Sequence, residues 1–500
     1  MIALEGVSCR LPQAAAAALD AVDLHVAPGE VLLVVGPSGG GKTTLGAVIN
    51  GVAANLRQAV VTGRTTVAGR DIAGLPLYAV GRHVGTVFQD CRAQFFMTHV
   101  AEELVFASRN FGQPDSRSLP RLEWITRLLG IGHLLARSVF ELSSGERQLV
   151  AIAAVAVHGP EVVILDEPSS NLDIPGMRRL ARLLAWLRDQ GTTLLVIDHR
   201  LHHLGNLPDR IVHVDAGRLT VFAPEALRRL DAGAYRDLGL RRLTPPARPS
   251  ARPCLAPPCG GPARLAVENV WFSRQGRAVL AGVAFEARPG EVIALAGRNG
   301  AGKTTLARIL CGLAQPVRGT VRLDGAKTGK RTRQNRCAFV MQDPDYQLFT
   351  ASVRQELRIG LGDCPAVAAR LEEAATRLEL TGLLDRHPGS LSMGEKQRTL
   401  IAAALVADRD VVVMDEPTSG MDGTRMRALA ELVAELAARG RLVLVITHDF
   451  EFIRTACTRL LLLAEGRLVR DCPASEAVED LLAAGASEEQ GAYSCDVCWT

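Results

Sequence analysis

An ordered set of motifs runs through this 500-residue chain twice. VLLVVGPSGGGKTTL at 31–45 returns as VIALAGRNGAGKTTL at 292–306, and TVFQDCRAQFF at 86–96 returns as FVMQDPDYQLF at 339–349. ELSSGERQ, VVILDEPSSNLD and LLVIDH return as SLSMGEKQ, VVVMDEPTSGMD and LVLVITH. Ser143 and Ser392, Asp166 and Asp415, and His199 and His448 all stand 249 residues apart. The offset is wider at the start because the first copy is longer around residues 55–66. A unit this long that keeps its internal order is a duplicated domain rather than a stack of small repeats.

Between the copies lies LTPPARPSARPCLAPPCGGPARL, residues 243–265. Its prolines remove backbone donors and hold φ near the extended-helix value, so it reads as a semi-rigid linker. The expected division is a first domain over 1–238, a linker over 239–263, a second domain over 264–482 and a weakly structured tail over 483–500. Within each copy, apolar β-rich runs such as 31–35, 162–165 and 194–197 alternate with helical stretches. That alternation predicts an α/β layer with a largely parallel sheet. The motifs fall where the strands end, which is where such sheets place ligands.

The formal net charge of +4 calls for neither a nucleic-acid partner nor an anionic surface. No apolar run reaches the roughly 18 residues of a membrane span, and residues 1–10 carry no secretion signal. A role at a membrane would therefore go through a partner. The eleven cysteines are expected as reduced thiols. Cys495 and Cys498, even with Cys254 and Cys259, make a weak zinc case, and the expectation there is a tail without a site.

The chain holds five lysines, so each is informative. Lys42 and Lys303 close the two glycine-rich loops. Gly36, Ser38, Gly39, Gly41, Lys42, Thr43 and Thr44 in one copy, and Gly297, Asn299, Gly300, Gly302, Lys303, Thr304 and Thr305 in the other, fit the phosphate-loop pattern. Each loop follows an apolar strand and opens a helix. Glycines let backbone N–H groups wrap the phosphates, and the helix N-terminus adds a favourable dipole. The lysines would sit on the β- and γ-phosphates of ATP, and Thr43 and Thr304 on Mg²⁺. Asp166 and Asp415 end apolar strands and are placed to hold the metal. Glu167 and Glu416 follow as general bases. Alone, Asp-Glu after a strand is as well explained by helix capping; the phosphate loop upstream decides it. His199 and His448 would bond the γ-phosphate and hold the water, although a lone His is more often a surface or cap residue. Gln89 and Gln342 would touch Mg²⁺ or the water.

With the signature loops, the chain resembles the ATP-binding-cassette (ABC) superfamily. The family pattern is Leu-Ser-Gly-Gly-Gln; here it reads Leu142-Ser143-Ser144-Gly145-Glu146 and Leu391-Ser392-Met393-Gly394-Glu395. The resemblance implies an α/β fold of two tandem P-loop NTPase domains, each with a mixed, mostly parallel sheet, an antiparallel β subdomain and a helical subdomain. It implies an ATPase using ATP and Mg²⁺, with the two domains pairing within one chain. Ser392 and Gly394 would complete the site of Lys42, and Ser143 and Gly145 that of Lys303, with Asp173 and Asp422 on the loops that cross this interface. The aromatic that usually stacks on adenine is missing; Phe272 or Arg274 would take its place in one copy and Leu11 in the other.

QDPDYQLFTASVRQEL at 342–357, its counterpart after Gln89, and DHRL at 198–201 resemble ATPases of energy-coupling-factor (ECF) importers, which take up vitamins and transition metals. This implies a transmembrane coupling subunit and a substrate-binding membrane subunit as partners, a location on the cytoplasmic face of the cell membrane, and no nucleic acid. The opposite charges of Arg92 and Asp345 predict asymmetric docking on that subunit, through Asp343 and Asp345. Two other branches share the layout. A fused sugar-importer ATPase would show one decayed site. A soluble ABC translation factor, which binds ribosomes, should carry a long charged helical linker.

Overall fold

The computed structural model describes residues 1–12, 14, 16–242 and 262–476. The chain forms two compact units, Met1–Pro245 with Gly420–Arg425, and Pro246–Ser419 with Met426–Thr500. Cys254, Cys259, Cys495 and Cys498 lie outside the described residues. So do residues 243–261 of the expected linker and the whole of the expected tail. Leu240 is buried in the core of the first unit, so that unit continues past residue 238.

In the first unit a six-stranded sheet runs in the order Arg218–Phe222, Arg210–Asp215, Val31–Val35, Thr193–Ile197, Val162–Asp166, Val84–Val87. Its pairs are parallel except for the antiparallel outer one. The central strands Val31–Val35, Thr193–Ile197 and Val162–Asp166 are buried along their whole length. That is why they read as continuous apolar runs: both faces of a parallel sheet are covered. A second sheet, antiparallel, orders Leu19–Val26, Ile2–Arg10, Val60–Val67 and Arg70–Asp71. Its strands alternate buried and exposed positions, as a sheet packed on one face must. The helices Val100–Asn110, Asp115–Leu129 and Ser144–His158 make the helical part.

The second unit repeats this topology. Its mixed sheet orders Cys337–Val340, Val411–Asp415, Leu442–Ile446, Val292–Ala296, Arg459–Ala464, Arg467–Pro473. Its antiparallel sheet orders Arg277–Ala287, Leu265–Arg274, Arg318–Leu323, Ala326–Lys327. Val353–Arg358, Pro365–Arg377 and Met393–Ala407 form the helical part, with a core of its own. The expected class, two α/β units each with a β and a helical subdomain, is the observed one.

Candidate functional site

Each phosphate loop is built from a backbone that only glycine tolerates. Gly36 has φ 140°, and a Cβ there would lie 2.1 Å from the Val214 carbonyl oxygen. Gly297, at φ 147°, would put its Cβ 2.1 Å from the Leu463 oxygen. The helices Lys42–Ile49 and Lys303–Leu310 start from left-handed Gly41 and Gly302, and neither cap carries a side-chain hydrogen bond. The first-turn N–H groups are therefore not covered by a capping side chain and suit an anion. Lys42 is buried, and its Nζ donates to the carbonyls of Gly36 (2.9 Å) and Pro37 (2.7 Å). Lys303 does the same with Gly297 (2.6 Å) and Arg298 (3.0 Å). Burial holds Lys42 below its ordinary pKa, opposed by Glu167, Asp422 and Asp166.

The acids stand where the strands end. Burial raises the Asp166 carboxyl above its usual range, against a hydrogen bond from Thr43 and the charge of Lys42. Asp166 Oδ1 is buried with no hydrogen-bond partner among the described residues. Thr304 Oγ1 donates to Asp415 Oδ2 at 2.7 Å, and burial raises this carboxyl too. Glu167 and Glu416 follow at φ 52° and 47°, a conformation an L-residue rarely adopts. It is held by their N–H groups, which donate to Ile197 and Ile446 carbonyls at 2.8 Å. Strain of this kind persists where the surroundings over-determine it, and it turns the side chain off the strand direction.

Around Glu167 the expected partners converge. Gln89 Nε2 donates to Glu167 Oε1 at 2.9 Å, and His199 Nε2 lies 3.8 Å from the same oxygen. In the second unit His448 Nε2 lies 3.7 Å from Glu416 Oε1. Gln342 is half-buried just past the strand Cys337–Val340. Burial, then the charges of Asp166 and Asp198, push Glu167 up to about 7 against Lys42 and Gln89. Burial, with Lys42 nearby, holds His199 well below its ordinary value, so its imidazole is neutral.

The signature serines do something the loop pattern alone does not announce. Ser143 caps the helix Ser144–His158 and Ser392 caps Met393–Ala407, each in a full capping box. Each hydroxyl donates to the carboxylate three residues on, Glu146 or Glu395, at 2.8 Å. The departures from glutamine at these positions thus have a structural reason. Neither serine is hydrogen-bonded to the Lys–Asp–Glu–His cluster of its own unit. Asp173 is likewise the N-cap of the helix Ile174–Asp189, accepting from Gly176 N at 2.9 Å. Phe272 and Leu11 are partly buried against the cores of their units, and Arg274 is exposed.

Three further acids shape the surroundings of the sites. Buried Glu103 accepts from the N–H groups of Phe96 (2.9 Å) and Met97 (2.7 Å). Glu356 accepts from Phe349 (3.2 Å) and Thr350 (3.0 Å). They fix the loop after each glutamine, and their matching seven-residue spacing was a usable signal. Asp198 opens the DHRL segment, and its Oδ1 accepts from Ser169 Oγ and Arg200 N, both at 2.9 Å, beside the base.

The ABC transporter family profile matches residues 19–170 and 280–419. A Treponema denticola protein described as an ABC transporter ATP-binding protein is 38% identical over 458 residues, covering 90% of this chain and 92% of that protein. A Streptomyces avermitilis protein so described is 33% identical over 532 residues, covering 96% and 95%. Among solved structures, ribosome-bound archaeal Pelota and ABCE1 gives a TM-score of 0.72 at 23% identity, over 96% of this chain and 80% of that one. The RNase-L inhibitor gives 0.69 at 22% identity, over 96% and 93%. The likeness to these structures is one of fold.

These findings confirm a tandem ABC ATPase and overturn its assignment to an ECF importer. Structures matched over nearly the whole chain are those of a ribosome-bound factor, and the full-length relatives carry no ECF designation. With that assignment go the transmembrane coupling subunit, the substrate-binding membrane subunit, the exclusion of nucleic acid and the place on the membrane's cytoplasmic face. The charges expected to dock on that subunit are engaged within the fold: Asp345 Oδ1 lies 2.6 Å from Lys396 Nζ, and Arg92 Nε lies 3.2 Å from Asp90. No described helix is long and apolar enough to cross a membrane.

Proposed function

From its place in the ABC transporter family, to which this chain belongs as an ATPase with two fused domains, we propose that both units bind Mg·ATP and that both hydrolyse it. The observation that carries this is the same constellation formed twice. A buried Lys in a glycine loop faces a strand-end Asp, a Glu at positive φ and a neighbouring His. Glu167 and Glu416 take the proton of the attacking water, and His199 and His448 hold the water and the γ-phosphate. Thr43, Asp166, Gln89 and their counterparts Thr304, Asp415 and Gln342 would hold Mg²⁺. An all-oxygen set with the free buried Asp166 Oδ1 suits a hard cation. When bound, it would neutralise charge on the phosphate oxygens. Ser143, Gly145, Ser392 and Gly394 add contacts to nucleotide.

The test is exchange of each base. Glu167→Gln and Glu416→Gln should each remove one site's turnover, and the double variant should fall by about a hundredfold or more with ATP binding retained. Wild-type turnover in the double variant would refute the assignment.

A second reading, of the output, is favoured by the fold likeness to ribosome-associated proteins. On it, ATP binding engages a ribosome. The double Gln variant should then sediment with ribosomes in ATP and not in ADP; identical sedimentation in both would discard this reading.

A further inference from the structure

The helix that begins at each signature loop packs on the short turn after each glutamine, Cys91–Gln94 in the first unit and Pro344–Tyr346 in the second. The two units fasten that junction differently. In the second, Lys396 lies one turn into Met393–Ala407 and meets Asp345, three residues past Gln342. The lysine is mostly buried, its side chain 15% exposed. In the first, the matching positions hold two cations, Arg147 and Arg92, and Arg92 turns away to Asp90. There a neutral bond spans the junction: Cys91 Sγ donates to Gln148 Oε1 at 3.0 Å. Burial pushes the Cys91 thiol up to about 12, so it stays a donor. The second unit has Pro344 at that position, which has neither a side-chain nor a backbone donor.

We propose that Asp345 and Lys396 are positioning residues for ATP hydrolysis: a charge clasp, present in the second unit and replaced by a neutral bond in the first, that makes Gln342 and Ser392 shift together. The inference rests on the reading that Gln342 and Ser392 each serve a bound nucleotide, Gln342 the one held by Lys303 and Ser392 the one held by Lys42. Asp345 is half-exposed, so the pair contributes little to stability. Its effect lies in geometry. Gln342 lies three residues before the acid, and Ser392 one turn before the lysine on a rigid helix. A movement of either segment is passed to the other through a short, directional contact. Once the clasp is cut, nucleotide can still bind, but the two segments no longer arrive together.

The test is a double-mutant cycle on the full chain. Asp345→Asn and Lys396→Met should each lower kcat by roughly three- to tenfold, with the ATP KM unchanged within about twofold and the thermal midpoint unmoved. The double variant should be no slower than either single, and Lys396→Arg should recover most of the loss. Unchanged kcat in both singles, a multiplicative loss in the double, or a loss confined to KM would overturn the clasp. Glu416→Gln run in parallel separates the two levels. If it keeps wild-type turnover, the nucleotide reading of the second unit fails. If it alone loses turnover, the clasp fails and that reading stands.

Discussion

The two units are copies in backbone and variants in electrostatics. Gly36 and Gly297 share a backbone angle near the limit of the left-handed region and the same clash with a carbonyl. Glu167 and Glu416 share a positive φ, the same N–H partner and a His at nearly the same distance. What differs is what surrounds the base. The first unit places Asp198 before its His; the second places Thr447, whose Oγ1 lies 3.4 Å from Glu416 Oε2. One base therefore has an extra buried carboxylate beside it and the other has a hydroxyl. Backbone features admit few residues, so duplication preserves them. Charges around a site can change while its geometry stays.

The shared backbone can be broken most severely at the loops. Gly36→Ala and Gly297→Ala should each cost about 3 kcal/mol or more, since neither carbonyl is the movable end of a side chain. Each should also abolish nucleotide binding in its unit. Calorimetric unfolding and ATP titration would check both, and tolerance of alanine at either position would show that the loops are not equivalent.

The divergent surroundings give the next effect. Burial is the largest cause of the raised Glu167 carboxyl, and Asp198 adds to it. A base works only when ionised, so at pH 6 a group near 7 is mostly protonated and the first site slow. Asp198→Thr removes one repelling charge. Thr keeps the backbone cap, because Thr447 Oγ1 accepts from Asp449 N at 3.1 Å as Asp198 accepts from Arg200 N. Measured in a Glu416→Gln background, the acid limb of the rate profile should move down by up to about one pH unit, with little change at pH 8. A limb that stays in place would mean that burial alone sets this base.

Much of this was legible in the sequence because it depends on residue type at fixed spacing. The repeat gave two domains, the apolar runs gave the buried strands, and the glycine loops, strand-end acids and histidines fell into one cluster per unit. Asp198 and the Glu103 and Glu356 anchors were not read, because their importance comes from burial and from which backbone N–H groups they meet. The ECF reading rested on motif likeness, and the comparisons overturned it. The docking contacts drawn from it, Arg92 and Asp345, each already have a partner within their own unit. Charge is visible in a sequence; its engagement is a matter of three-dimensional packing.

The smallest difference to probe is the signature cap. Glu146 accepts from Ser143 N and Oγ, both at 2.8 Å, while its own N–H donates back to Ser143 Oγ at 3.3 Å. Arg137 adds an ion pair at 3.2 Å. Ser392 and Glu395 repeat the box, with distances of 2.7 and 2.8 Å to the serine N and Oγ. Glu146→Gln restores the family residue and keeps one acceptor for the backbone, so the box survives in part. It removes a negative charge from the helix start, costing about 0.5 kcal/mol. It also releases the serine hydroxyl hydrogen from a carboxylate, leaving it free to turn toward nucleotide. The two effects oppose: the unfolding midpoint should drop slightly while turnover changes by less than about threefold. Glu395→Gln should behave alike, because the two boxes match within 0.1 Å in all three bonds. A loss of turnover beyond tenfold in one unit and not the other would show that the two caps, alike in geometry, serve unequal sites.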